Sequence, residues 1–262
     1  MTAAVLAFNG ELTVRLTSEV SVVGGGVFGF DLSAPFDCNV YLLDGGDELA
    51  LIDSGIGGSV GDSDRLLRNI EAAGFDLSRI SRIFLTHYHA DHAGGAAELS
   101  EKLGVPVHGS PLTAATLSAG DEEQISLPAA KAAGLFPIEY EFRACPAVGD
   151  MTEGATTSLG HLVITSYETP GHCDGHVSYL VQGHEQSYLL EGDVVFYGGK
   201  IFLQNVPDCS LQKYAATVSK LATLEFDAFL PGHLGISLTN GRRHIDSAKS
   251  TFDKLLVPAS IV

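Results

Sequence analysis

Positive charge is scarce in this chain, paired cysteines are missing, and no apolar run is long enough to cross a membrane. Lysine and arginine number 15 against 32 aspartates and glutamates, a formal net charge of −17 at pH 7. That balance disfavours an electrostatic partnership with nucleic acid or an anionic membrane surface. Cys38, Cys145, Cys173 and Cys209 are scattered and form no C-x-x-C pair. Neither a disulfide framework nor a zinc ribbon is expected, and a reducing compartment suits such cysteines. The start, M-T-A-A-V-L-A-F-N-G-E, has no basic n-region and only a short apolar run. It does not read as a signal peptide, and nothing approaches the roughly 20 apolar residues of a spanning helix. A cytoplasmic location is the expectation.

The 262 residues are 45% hydrophobic and include 30 glycines, enough for a sizeable core in a loop-rich globular protein. Strand-like runs start at Glu11, Val20, Asn39 and Glu48, and the last two flank a Gly45-Gly46 turn as a hairpin ending at Asp53. A helix follows, with Asp62 as cap, Leu66, Leu67 and Ile70 on one face, and Gly74 as the stop. Another strand begins at Arg82, a second helix runs from about Gly95 to Leu103, and a strand returns at Val105. Residues 111–150 are less regular and read as an inserted loop with one helical stretch near Leu127. Strands resume at Leu162, His176 and Ser187, and helices follow near residues 211–224 and 243–256. Two strand-rich halves with their own helices predict a layered α/β fold, one domain over residues 1–262 with an internal pseudo-duplication.

The most informative stretch is T-H-Y-H-A-D-H, from Thr86 to His92, at the C-terminal end of a predicted strand. Histidine usually enters a core singly, whereas His87, His89, Asp91 and His92 offer nitrogen and oxygen ligands suited to a metal such as zinc. Three further candidates sit at strand ends or turns: His172 in T-P-G-H, Asp193 in E-G-D and His233 in L-P-G-H. The glycine beside each permits the tight backbone that lets a side chain turn toward a common point.

H-x-H-x-D-H followed by P-G-H, G-D and P-G-H resembles the metallo-β-lactamase superfamily, as do the lead-in N-V-Y-L-L, the L-I-D-S-G at Asp53 and the trailing A-G-G after His92. The resemblance runs from about Asn39 to His233. It implies a four-layer αββα sandwich with two Zn²⁺ per chain, manganese, iron or cobalt being alternatives. His87, His89 and His172 would hold one metal, Asp91, His92 and His233 the other, and Asp193 would bridge them. Such a pair lowers the pKa of water to about 7 and polarises a carbonyl. The resemblance further implies that Asp91 orients the nucleophile and hands a proton to the leaving group. Asp53 would order the histidine loop from behind.

Other letter matches fail in context. G-G-S-V-G at residues 57–61 fits a nucleophile elbow, but a glycine-rich loop separates it from the strand. G-G-G-V-F-G at residues 24–29 fits a dinucleotide fingerprint, but no helix follows. It reads better as a hairpin tip offering Phe28 and Phe30 to a substrate. Cys173 reads as a packing neighbour, and His108, His161, His176, His184 and His244 as structural or surface residues. Tyr197 is a candidate for polarising a substrate carbonyl, by analogy with lactone-hydrolysing relatives. Arg242 and Arg243 could meet an anionic substrate.

The expected function is therefore a dinuclear zinc hydrolase of an ester, lactone or thioester carbonyl, with lactonase-like enzymes the best match in size and ligand set. A β-lactamase-like amide hydrolase is one alternative, though the family implication for Asp193 argues against it. An iron-dependent persulfide dioxygenase is another, and a superfamily nuclease or a non-catalytic binding module are weaker ones. The expected partner is a small-molecule substrate, with neither nucleic acid nor membrane, and a homodimer as an oligomeric option.

Overall fold

The computed structural model describes residues 4–8 and 11–261. Strands β1 (Ala4–Phe8), β2 (Glu11–Arg15), β3 (Val20–Gly24), β4 (Val40–Asp44), β5 (Leu49–Ile52), β6 (Ile80–Phe84) and β7 (Val107–His108) pair in chain order in a seven-stranded sheet. Strands β8 (Thr156–Leu159), β9 (Leu162–Glu168), β10 (Val177–Gln182), β11 (Ser187–Gly192) and β12 (Ala228–Pro231) form a five-stranded sheet in the order β12-β11-β10-β9-β8. The helices are α1 (Ser63–Ala72), α2 (Ala90–Ala93), α3 (Ala96–Leu103), α4 (Pro111–Ala119), α5 (Leu127–Ala132), α6 (Leu211–Leu221) and α7 (Arg242–Asp253). None is long and apolar enough to cross a membrane among the described residues.

Side-chain alternation explains the layering. On β4, Tyr41 and Leu43 point inward with Ile52 and Phe84, and they meet Ile164, Tyr179, Val181 and Leu190 of the second sheet. Val40 and Leu42 point the other way, against Leu66, Leu67 and Ile70 of α1 and Leu99 of α3. On the far side, Leu180, Leu189 and Phe229 pack on Tyr214, Val218 and Leu221 of α6 and on Ile245 of α7. The order is helix, sheet, sheet, helix, as the resemblance implies. Strands covered on both faces read as continuous apolar runs, as V-Y-L-L and L-A-L-I do.

The two halves repeat one device. In the first sheet α1 connects β5 to a parallel β6; in the second, α6 lies in the connection from β11 to a parallel β12. Chain segments leaving parallel strands at their carboxyl ends are where an α/β sheet presents its functional side chains.

Residues 111–150 hold α5 where a helical stretch is expected near Leu127, and a further helix, α4. Helix α4 starts at Ser110, whose hydroxyl accepts the Thr113 N–H at 3.1 Å, has Pro111 in its first turn and closes on Gly120 at φ 63°. Its buried face consists of Thr113, Ala114, Thr116 and Leu117, so small and polar residues hide the helical stripe. Leu117, Ile125, Leu127, Tyr140 and Phe142 all join the core under the first sheet. The segment is therefore structural, not a surface decoration. Strands β8 and β12 also escape the periodicity, one being the polar T-T-S-L and the other a short A-F-L-P.

Leu43 is 0% exposed between the sheets, whereas Leu255 is 95% exposed. Leu43→Ala should lower unfolding free energy by about 2–5 kcal/mol through lost burial and a cavity. Leu255→Ala should change it by less than about 0.5 kcal/mol. Chemical denaturation of both variants measures the difference.

Candidate metal centre

The first half contributes a loop pinned by a carboxylate. Asp53 follows β5 with φ 64°, a left-handed conformation that aspartate tolerates better than most residues. Its Oδ1 accepts the Thr86 N–H at 2.7 Å, and its Oδ2 accepts the Thr86 hydroxyl at 2.9 Å and His92 Nδ1–H at 2.8 Å. Ser54 adds a second tie, its N–H and hydroxyl both donating to the His92 carbonyl. The chain leaving β6 is thus held against the end of β5, with His87 and His89 before α2 and Asp91 and His92 within it.

The second half brings its residues from three separate turns. His172 lies between β9 and β10, Asp193 directly follows β11, and His233 closely follows β12. Two glycines make room. Gly192 takes φ 60°, and a Cβ there would lie 2.5 Å from His176 Nε2; a Cβ on Gly232 would lie 2.4 Å from Asp193 Oδ1.

All of the expected ligands converge. His87 Nε2 is 3.1 Å from His89 Nδ1, which is 2.8 Å from His172 Nε2. His233 Nε2 is 3.0 Å from Asp91 Oδ2 and 3.3 Å from His92 Nε2. Asp193 stands between the two groups, with Oδ1 3.3 Å from His92 and Oδ2 3.7 Å from His172 and 3.5 Å from His233. His87, His89 and His172 form one possible ligand group, and Asp91, His92 and His233 another.

Hydrogen bonding aims the lone pairs inward. His92 gives its Nδ1 proton to Asp53, and His87 Nδ1 lies 3.0 Å from the Thr86 hydroxyl, whose proton goes to Asp53. Both rings therefore turn Nε2 toward the centre, as a metal-binding histidine requires. Burial holds His87 and His89 below the ordinary range and His172 down at about 3, so these imidazoles are neutral. Burial also opposes protonation of His92 and His233. Their neighbours prevail: Cys38, Asp193, Asp53 and Asp91 raise His92, while Asp193 and Asp91 raise His233.

The donor set fits divalent metal. Asp193 Oδ1 is buried without a hydrogen-bond partner, despite standing 3.3 Å from His92 Nε2. A buried carboxylate oxygen left in that state is costly unless a cation satisfies it. Mixed imidazole and carboxylate ligands suit zinc, manganese, iron or cobalt, and the donors alone do not select among them.

Several residues around the ligands support them, in ways their sequence positions do not specify. His176 stacks on His87 with centroids 4.9 Å apart, and its Nε2 accepts the Asp193 N–H at 3.1 Å. It therefore fixes the backbone from which Asp193 projects, and nothing in the spacing signals this. Asn39 donates its N–H to the Gly232 carbonyl at 2.7 Å, and the Tyr41 hydroxyl donates to the Pro231 carbonyl at 2.7 Å. These bonds carry β4 across to the His233 turn.

The other candidates have partners of their own. The Tyr197 ring packs on His244 at 4.5 Å and under the Arg243 guanidinium, with no hydrogen bond or ring contact to the converging ligands among the described residues. Arg242 is paired with Glu225 and Asp246, and Arg243 donates to Ser237 and to the Thr239 and Asn240 carbonyls. Cys173 is buried as a packing neighbour. Ser59 sits in a single 3₁₀ turn, Gly58–Val60, away from the end of β5, so no nucleophile elbow forms. In the 24–29 turn Phe28 is exposed and its carbonyl accepts the Leu234 N–H beside His233, whereas Phe30 packs against the inner core.

Residues 33–233 match the metallo-beta-lactamase superfamily. The chain belongs to that family. Among curated relatives, an atrochrysone carboxyl ACP thioesterase of Aspergillus fumigatus is 26% identical over 85% of this chain and 58% of its own length. Hydroxyacylglutathione hydrolase GloC of Haemophilus influenzae is 31% identical over 57% of this chain and 62% of its own. In both cases the aligned part spans under two thirds of the relative. Among solved structures, a metallo-β-lactamase with a HARLDQ motif from Cronobacter sakazakii superposes with TM-score 0.71 at 21% identity, covering 93% of this chain and 96% of that one. At that identity the likeness speaks for the superfamily fold alone.

Two outcomes follow. Asp53→Asn keeps a side chain that tolerates φ 64° but exchanges one acceptor oxygen for a donor. Metal affinity, measured by competition with a chromophoric chelator, should fall about 10- to 100-fold. His244, pushed down to about 4 by burial and then by Arg243, is neutral in the fold but takes a proton near 6.5 when unfolded. Its contribution is present above about pH 6.5 and is lost as pH falls toward 4. His244→Gln should flatten the pH dependence of stability across that window.

Proposed function

We propose that this protein is a metal-dependent hydrolase of acyl bonds, with thioesters as the leading substrate class and lactones and simple esters as members of the same chemistry. The convergence of His87, His89, His172, Asp91, His92, His233 and Asp193 on one buried centre carries the reading. The thioesterase and hydroxyacylglutathione hydrolase names among the relatives favour thioesters over the lactones suggested by size and ligand set.

His87, His89 and His172 would hold one cation, zinc being the first choice, and Asp91, His92 and His233 a second, with Asp193 serving both. When bound, such a pair supplies Lewis acidity to a carbonyl oxygen and makes water acidic enough to act as a nucleophile near neutral pH. Asp91 and Asp193 then differ in task. The Asp193 side chain is 2% exposed and can only hold charge, whereas that of Asp91 is 19% exposed and can receive a proton and return it to a leaving group. The α2 turn orients Asp91 through its contact with His233, and the sandwich walls exclude bulk water from the other donors. The exposed Val27 and Phe28 beside the His233 turn offer an apolar edge for the acyl chain of a small-molecule substrate. Tyr197 has no assigned part in this scheme.

Acid release in weak buffer with zinc, across thioesters, lactones, esters and β-lactams, tests the reading. Thioester turnover should dominate, and His87→Ala and Asp91→Asn should each reduce it by at least about 100-fold. Phe28→Ala should raise KM and leave kcat nearly unchanged, as expected of a contact made equally in ground and transition states. Metal-loaded protein that is silent on every acyl substrate but consumes oxygen with a persulfide would overturn the proposal.

A further inference from the structure

At the end of the sandwich away from this centre, three turns meet. Glu19 lies between β2 and β3, His161 between β8 and β9, and His184 between β10 and β11. The six residues of β11, at about 3.3 Å each, separate this end from Asp193 by roughly 20 Å. We propose that Glu19, His161 and His184 form a separate divalent-metal site, suited to zinc, that clasps the two sheets together.

The hydrogen bonding calls for either a second proton or a metal ion. His161 Nδ1 is 2.7 Å from the Gly45 carbonyl, which can only accept, so Nδ1 carries the ring proton. The other ring nitrogen, Nε2, faces Glu19 Oε1 at 2.9 Å and, without a second proton, would meet it lone pair to lone pair. Two lone pairs face one another stably only with a proton or a metal between them. A proton satisfies His161 and Glu19 but gives His184 no part. The His184 ring stacks on His161 with centroids 4.3 Å apart, and ligand atoms of all three side chains lie within 4.8 Å of one another. Two imidazoles and a carboxylate, completed by water, are a common zinc donor set.

The surroundings resemble those of a prepared ligand. Donation of the His161 ring Nδ1–H to a backbone carbonyl fixes the tautomer that binds metal through Nε2. Glu19 is 2% exposed, yet its oxygens accept from the Tyr188 hydroxyl at 2.8 Å, the His184 N–H at 2.6 Å and the Glu185 N–H at 3.4 Å. Burial disfavours its charge, but these bonds and His161 hold it below the ordinary carboxylate range, so it is an anion. The backbone makes room as well: a Cβ on Gly183 would stand 2.2 Å from Glu19 Oε2. Through this site the first sheet would be tied to two turns of the second.

His184 is exposed, so His184→Ala should fold. Zinc per chain, measured by mass spectrometry after dialysis against zinc, should fall by about one equivalent in that variant, with acyl hydrolysis unchanged within about twofold. Crystals of the full chain soaked in zinc should give an anomalous peak between Glu19, His161 and His184. That peak should persist in His87→Ala protein, which separates this site from the candidate catalytic one. Equal zinc content in wild type and His184→Ala, or no peak at these residues, would overturn the proposal in favour of a proton-filled imidazolium–carboxylate pair.

Discussion

The carboxylate of Asp53 is the point on which the centre depends. It is 1% exposed and sits in an apolar sandwich, where an unpaired charge would be prohibitive. The fold resolves this by spending its oxygens on the Thr86 N–H, the Thr86 hydroxyl and His92 Nδ1–H. One side chain thereby joins β5 to the loop after β6, sets the His92 tautomer and leaves Nε2 facing inward. The other ligands inherit their positions from that loop or from the turns packed opposite it.

Charge and duplication work together here. Each half contributes a parallel strand pair whose carboxyl ends face the same region, so neither half alone assembles the donors. The first supplies His87, His89, Asp91 and His92 from one continuous stretch. The second supplies His172, Asp193 and His233 from three turns. Asp193 lies within 3.7 Å of histidines from both groups, Oδ1 beside His92 and Oδ2 beside His172 and His233. Glycines at 192 and 232 allow the approach that brings that carboxylate among the rings.

Much of this was legible in the sequence because the ligands lie at strand ends with punctuating glycines, and strands buried on both faces leave unbroken apolar runs. The histidine stretch, the P-G-H turns and Asp53 were readable for that reason. Helix α4 was not, since its buried face is built from threonine and alanine that carry no apolar stripe. His176 read as structural or surface, and which ligands it supports comes from stacking on His87 across the fold, which no local spacing encodes. Tyr197, a candidate by analogy with lactone-hydrolysing relatives, has its ring against His244 and Arg243. Glu19, His161 and His184 come from turns far apart in the chain and meet only once the two sheets pack.

In the proposed centre one carboxylate, Asp193, is shared between two metal positions. X-ray absorption at the metal edge on zinc- or cobalt-loaded protein tests it most directly. A metal–metal vector of about 3.5–4 Å, lost in Asp193→Ala, is the expected result. Tightly bound metal without such a vector in the unmutated protein would contradict it.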